Sequence, residues 1–307
     1  MTEVPDSGVD TAPGRPAGPG ARQRLRALRM GLATVLGTAR KGFFIPYRHA
    51  DAVPSRIASY DALAAKFAAS HPAITDHIAA IERFAAELEA IGEAPAPAPR
   101  WRQGWFPRLD GAAAYAMVRT LAPRRIVEIG SGHSTRFLAR AVTDGGLATT
   151  ITAIDPEPRA ALAGLDVRHL AQTLHDADHG AFEELEAGDI LFVDSSHILM
   201  PGSDVDIVLN RLWPALRPGV VVHFHDIFLP DGYPEAWGWR GYNEQLGVAA
   251  LISAGGAEIL FASHYAVTRM AEALRPTVVA RLAMIDGAVE TSLWLVKRGA
   301  NAGTGAA

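Results

Sequence analysis

The sequence predicts an α/β fold, a doubly wound and mostly parallel sheet preceded by a helical extension, and three observations carry that reading. From Arg125 onward, short β-branched apolar runs alternate with helical stretches, as strands and crossover helices do in a parallel sheet. A small-residue turn, Gly130-Ser131-Gly132, joins the first run to the first helix. Four of the runs end in acids, Glu128, Asp155, Asp194 and Asp226, and ligands of open α/β sheets sit outside the carboxyl ends of strands.

Composition narrows the functional classes. The 49% hydrophobic and 20% charged content of the 307 residues describes an ordinary globular chain able to bury a large core. A net charge of −4 gives no overall nucleic-acid signature. The absence of cysteine excludes disulfides, thiolate metal sites and a thiol nucleophile. No apolar stretch reaches the ~20 residues of a membrane span. Met1 to Gly20, rich in Pro and Gly with interspersed acids, is unlike a secretory signal, so a cytoplasmic location is expected.

Residues 1–20 offer little to bury and are expected to be a disordered tail, as are 299–307. Residues 21–92 read as a helical N-terminal region. Its first part, Arg22 to Lys41, interleaves arginines with Leu25, Leu28, Leu32, Val35 and Leu36 and contains no acid. Such a helix can lie on an anionic membrane surface. The favoured reading is a helix docked on its own or a sister subunit, making a homo-oligomer, with its arginines in water, because Gly31 and Gly37 weaken it as an independent helix. Gly42 to Tyr47 reads as an aromatic anchor. Helices are predicted over Ser59–Ala69 and Ala73–Ile91, the second with an Ile74, Ile78, Ile81, Phe84, Leu88, Ile91 stripe that suits a core or a dimer seam. The Pro/Ala segment 93–100 reads as a linker and places a domain boundary before the domain 101–298.

That domain opens on Trp101 to Asp110, whose aromatic residues suit either a substrate lid or a staple onto the sheet. Asp110 is placed to cap a helix over Gly111–Leu121. Strands are predicted over Ile126–Ile129, Thr150–Ile154, Asp166–Thr173, Asp189–Val193, Val220–Phe224, Glu258–Ala262 and Ser292–Val296. Helices are predicted over Ser134–Ala141, Asp204–Leu216 and Asn243–Ala254, with partial helix in 266–286. An acid ending the second strand, here Asp155, suits hydrogen bonds to ribose hydroxyls, although it also fits a helix cap in Asp-Pro-Glu. A dinucleotide turn wants a third small residue where Thr135 stands, which weakens a nicotinamide-dependent oxidoreductase reading. The aromatic, turn-rich stretch Pro230 to Tyr242 suits an active-site cover.

Val-Glu-Ile-Gly-Ser-Gly at 127–132, Ala-Ile-Asp at 153–155, Asp-Ile-Leu-Phe-Val-Asp-Ser-Ser-His at 189–197 and Arg-Pro-Gly-Val-Val-Val-His-Phe-His-Asp at 217–226 together resemble the class I S-adenosylmethionine-dependent methyltransferases, in particular bacterial enzymes acting on small molecules. The resemblance spans about residues 101–297. It implies a Rossmann-like sheet with an antiparallel last strand, and S-adenosylmethionine held by Glu128, Gly130, Ser131, Gly132, Asp155 and Asp194, with Gln172 to Asp176 near the adenine. It implies O-methylation of a small-molecule hydroxyl (sugar, polyketide or phenol), with no nucleic-acid partner. Catalysis then falls to Asp194, His197, His225 and Asp226. Relatives that bind Mg²⁺ use acids where this chain has Asp194 and His225-Asp226; a histidine there is a departure, because hard cations prefer oxygen ligands. Without metal, His225 or His197 can serve as general base near neutral pH, while His223, inside its strand, reads as structural. A non-catalytic scaffold on the same fold is the other alternative, and the intact strand-end acids speak against it.

Overall fold

The computed structural model describes residues 20–43, 45–92 and 94–299. The expected tails lie outside the described residues except for Gly20 and Gly299, as do Phe44 of the aromatic anchor and Glu93 of the linker. Two compact units are present: residues up to Ile57 with Tyr233–Gly241, and Ala58–Gly232 with the chain from Tyr242. The units therefore divide at Ile57/Ala58, and the proline-rich segment 93–100 lies within the second unit.

In the first unit, helix α1 spans Ala21–Val35. It stops where Gly37 turns left-handed (φ 70°), its amide bonded to the Thr34 carbonyl. The Thr34 hydroxyl bonds back to Met30 and accepts from the Lys41 amide, tying down the exit.

The second unit begins with α2 (Asp61–Ala69), α3 (His71–Arg83) and α4 (Ala85–Glu89). The single helix expected over 73–91 is thus broken at Phe84, whose backbone (φ −105°, ψ 22°) leaves the helical region. The Arg119 guanidinium lies 4.7 Å over the Phe84 ring. The apolar stripe keeps its face across the break, with Ile74, Ile78, Ile81, Leu88 and Ile91 all buried. It is core rather than a seam: His77 bonds to the Ala113 carbonyl at 3.1 Å, and Trp101 Nε1 donates to the Leu88 carbonyl.

Then follow α5 (Arg108–Leu121), β1 (Arg125–Ile129), α6 (His133–Gly145), β2 (Thr150–Ile154), β3 (Arg168–Leu170), α7 (Gly180–Glu183) and β4 (Ile190–Val193). α8 (Asp204–Ile207) runs through a wide π turn, Val208–Leu212, into α9 (Trp213–Ala215). β5 (Val221–Phe224), α10 (Glu244–Ser253), β6 (Ala257–Ala262), α11 (Ser263–Arg269), α12 (Ala271–Leu274) and β7 (Leu293–Lys297) complete the unit. The third strand is shorter than expected.

The sheet order is β3-β2-β1-β4-β5-β7-β6, parallel except that β7 runs antiparallel to both neighbours. The last strand in sequence is therefore inserted between β5 and β6. The chain winds outward in opposite directions from β1 and β4, so the topological switch lies between these two strands. Their residues are buried on both faces and pair Ile126↔Ile190 through Ile129↔Val193. Continuous apolar strands of this kind need helices on both sides, which is why the sequence alternates as it does.

Candidate active site

The glycine turn is built at the switch point. Gly130 adopts φ 81°, and a Cβ there would collide with the Asp194 carbonyl, so glycine is required by both backbone and space. The Asp194 amide bonds to the Ile129 carbonyl and the Gly130 amide to Ile154, which closes β1, β2 and β4 around the turn.

Glu128 and Thr135 do work that the motif alone did not disclose. Glu128 is fully buried, and its two carboxylate oxygens accept from the Ser134 and Thr135 hydroxyls, each at 2.6 Å. Thr135 Oγ1 in turn accepts from the Gly132 amide. Burial pushes the Glu128 carboxyl up to about 8, against the opposing pull of those hydroxyls. The acid latches the first turn of α6 to β1, and the residue that weakens a dinucleotide reading is a partner in the latch.

Asp155, partly exposed at the end of β2, holds the turn from the other side. Its Oδ2 accepts from the Ser131 amide at 2.6 Å and hydroxyl at 3.1 Å, and its Oδ1 from the Glu157 amide. Ser131 and Gly132 thus stand between Glu128 and Asp155, Ser131 bonded to Asp155 and Gly132 to Thr135. The segment Gln172 to Asp176 is a turn after β3, with Leu174 buried and the Thr173 hydroxyl bonded to Asp176.

At the ends of β4 and β5 the structure brings all four predicted catalytic residues into one cluster. His197 Nε2 lies 3.4 Å from Asp194 and 3.3 Å from Asp226; His225 Nδ1 lies 3.5 Å from Asp194 and 3.6 Å from Asp226. Asp226 (φ 55°) and His197 (φ 60°) both adopt left-handed backbone, a strained state that costs on the order of 1–3 kcal/mol each and turns these residues out of their strand directions. Burial works against charge on the imidazoles. Asp194 and Glu244 around His197, and Asp194 and Asp226 around His225, nevertheless raise both well above the usual range. Burial likewise opposes ionisation of Asp194, yet His225 and His197 hold its carboxyl well below its ordinary value. The carboxylates around them thus favour the charged form of both rings against the pull of burial.

Two buried acids orient the rings from behind, and neither was read as functional in the sequence. Asp110 Oδ2 lies 3.2 Å from His225 Nε2, while Glu244 Oε2 lies 2.8 Å from His197 Nδ1. Asp110 does not cap α5, which starts two residues before it; its oxygens accept from the Thr291 and Ser292 amides, and Glu290 binds the Leu109 amide instead. The visible signal for the second partner is Asn243-Glu244-Gln245 at the start of α10. Asn243 bonds both backbone groups of Leu199, and Gln245 accepts from the Phe228 amide, so all three pin the loops after β4 and β5.

His223 is buried inside β5, stacked on Phe192 at 3.7 Å and bonded to Ser292, the structural part expected of it; burial keeps it well below its usual value and neutral. The expected lid-or-staple residues divide. Trp101 and Phe106 are buried, with Phe106 packing 5.3 Å from the His225 ring, whereas Trp105 is 54% exposed with Arg159 over it. Tyr242 packs on the His197 ring at 4.7 Å.

The residues that resemblance links to Mg²⁺ do not fit that ion. The His225 imidazole beside the Asp194 and Asp226 carboxylates departs from an all-oxygen shell. Among the described residues no group of three or more His, Asp or Glu side chains is arranged to hold a metal.

Residues 127–227, a third of the chain, match the family model described as a methyltransferase domain. The matched segment carries the glycine turn, Asp155 and the four residues of the charged cluster. Among solved structures, the chain is similar to the SAH-bound methyltransferase PaMTH1 of Podospora anserina (16% identity, 84% of this chain and 100% of that one, TM-score 0.39). It is also similar to the O-methyltransferase TomG of Streptomyces achromogenes, involved in tomaymycin synthesis and solved with SAM (17% identity, 73% and 90%, TM-score 0.38). A third likeness is to an O-methyltransferase of Bacillus cereus in complex with SAH (15% identity, 73% and 91%, TM-score 0.37). No curated protein matches the chain.

Proposed function

We propose that this chain methylates a hydroxyl of a small molecule, with Asp155 and the Gly130-Ser131-Gly132 turn holding S-adenosylmethionine and the cluster of Asp194, His197, His225 and Asp226 receiving the acceptor. The observation that carries the reading is that the glycine turn and the charged cluster meet at one switch point, where the Asp194 backbone packs on Gly130 and its side chain belongs to the cluster.

When bound, the cofactor supplies an electrophilic methyl group on a sulfonium. The chain's residues supply alignment and charge. Asp155, partly exposed, offers carboxylate lone pairs to ribose hydroxyls while Ser131 keeps it in place. The acceptor hydroxyl is received by Asp194 and Asp226, the cluster carboxylates with some exposure (29% and 13% of their side chains). A hydroxyl held there would give its proton to a carboxylate, and the His197 and His225 rings, as imidazolium ions, would stabilise the negative charge growing on its oxygen. Asp110 and Glu244 keep both rings aimed during the step. In this reading the histidines act as fixed cations rather than as bases.

Calorimetric titration with S-adenosylmethionine and, separately, NAD⁺ tests the cofactor half. Binding of the first alone, lost in Asp155→Ala, supports it, whereas a folded sample that binds neither moves the scaffold reading to first place. Transfer of labelled methyl to a panel of sugars, polyketides and phenols, with and without chelator, then tests the acceptor half. Turnover abolished by chelator and restored by a divalent ion would overturn the metal-free arrangement.

A further inference from the structure

The methyltransferase chemistry leaves residues 20–57 unused, and their surface is unlike the rest of the chain. The segment carries eight Lys and Arg against the single acid Asp51, in a chain whose overall charge is −4. On α1 and the residue after it, Leu25, Leu28, Leu32, Val35 and Leu36 follow a spacing of three, four, three and one, which places them on one face. All five are 50–71% exposed. Arg22 and Arg29 flank that face on one side and Arg24 on the other. Beyond the helix, Phe43, Ile45 and Tyr47 are 45–62% exposed beside Arg40, Lys41 and Arg48.

We infer that residues 20–57 bind the surface of an anionic lipid bilayer, with α1 lying flat, its leucine face among the acyl chains and its arginines at the phosphates. An apolar strip edged by arginines fits an anionic interface, because long basic side chains reach outward to charged headgroups while their stems cover apolar surface. The helix, about 22 Å long at 1.5 Å per residue, is too short and too charged to span. No described helix is long and apolar enough to cross a membrane. A second copy of the same face is disfavoured by charge, since it would oppose two strongly basic segments across a low-dielectric seam.

The test is co-sedimentation of the full chain with vesicles of phosphatidylcholine alone and with 30 mol% phosphatidylglycerol, alongside light scattering of the protein without lipid. The expected result is at least tenfold stronger partitioning onto the anionic vesicles. That partitioning should weaken with added salt and fall at least tenfold in both Leu28→Glu/Leu32→Glu and Arg22→Glu/Arg26→Glu/Arg29→Glu. Calorimetric S-adenosylmethionine binding by each variant reports that the other unit is folded, so failure here is distinguishable from failure of the catalytic reading. Sedimentation lost only in the arginine variant would overturn insertion of the leucine face. No sedimentation, or a dimer that the leucine variant dissociates, would overturn the lipid assignment in favour of a second copy or a protein partner.

Discussion

The two halves of the site are both built from carboxylates at strand ends, yet they are held in opposite ways. Around the glycine turn each acid is satisfied within one strand-helix-strand unit: Glu128 by Ser134 and Thr135, six and seven residues on, and Asp155 by Glu157, two residues on, and Ser131, 24 residues back. In the charged cluster the supporting partners come from far away, 115 residues for Asp110 and His225 and 47 for Glu244 and His197. The first half is carried by the consecutive elements β1, α6 and β2. The second exists only when the sheet, α5 and α10 have all assembled.

The sharpest way to break this comparison is to remove charge from the cluster. Asp226→Asn is expected to lower turnover about 10²–10⁴-fold, with the dissociation constant for S-adenosylmethionine within twofold of wild type. An equal loss of cofactor binding would show that the halves are not separable. Asp110→Asn should follow in the same direction by about 10²-fold, because His225 loses its anionic support while the amide retains an oxygen for Thr291 and Ser292.

On the other side, Asp155→Ala should weaken S-adenosylmethionine by about tenfold to a hundredfold, the range of one charge-assisted contact of about 1.5–3 kcal/mol. Calorimetry measures it directly, and unchanged affinity would remove Asp155 from the cofactor contacts.

Glu128→Gln separates latch from ligand. The Glu128 carboxyl is raised from 4.5 to about 8 on folding, so between those values the unfolded chain ionises it while the native state keeps its proton. Its contribution to stability is full below pH 4.5 and is lost as pH rises through about 8. The glutamine variant should therefore flatten this part of the stability profile, and gain a few kcal/mol relative to wild type near pH 8, read from urea midpoints across pH. A tenfold loss of cofactor affinity with stability retained would instead make Glu128 a direct cofactor contact.

The smallest effect is expected outside both halves. The Ser203 hydroxyl caps α8 by accepting from the Asp206 amide. Ser203→Ala should cost about 1 kcal/mol in thermal or urea unfolding and leave turnover unchanged. A catalytic defect there would extend the cluster into the loop after β4.

What the sequence determined by itself is what short-range patterns encode. The alternation of apolar runs and helices set the parallel sheet, the glycines set the turn, and the acids at 128, 155, 194 and 226 marked the strand ends. Tertiary structure decided the rest. It made Asp110 an anchor for His225 rather than a helix cap, because Glu290, 181 residues away from Leu109, reaches the free amide first. It placed β7 between β5 and β6, and it broke the helix after Arg83 at Phe84. It also set His197 and His225 among carboxylates that raise both rings well above their usual range, because the protonation of a ring depends on which carboxylates fold around it. Distances of that kind are set by the packed sheet and have no counterpart in local sequence spacing.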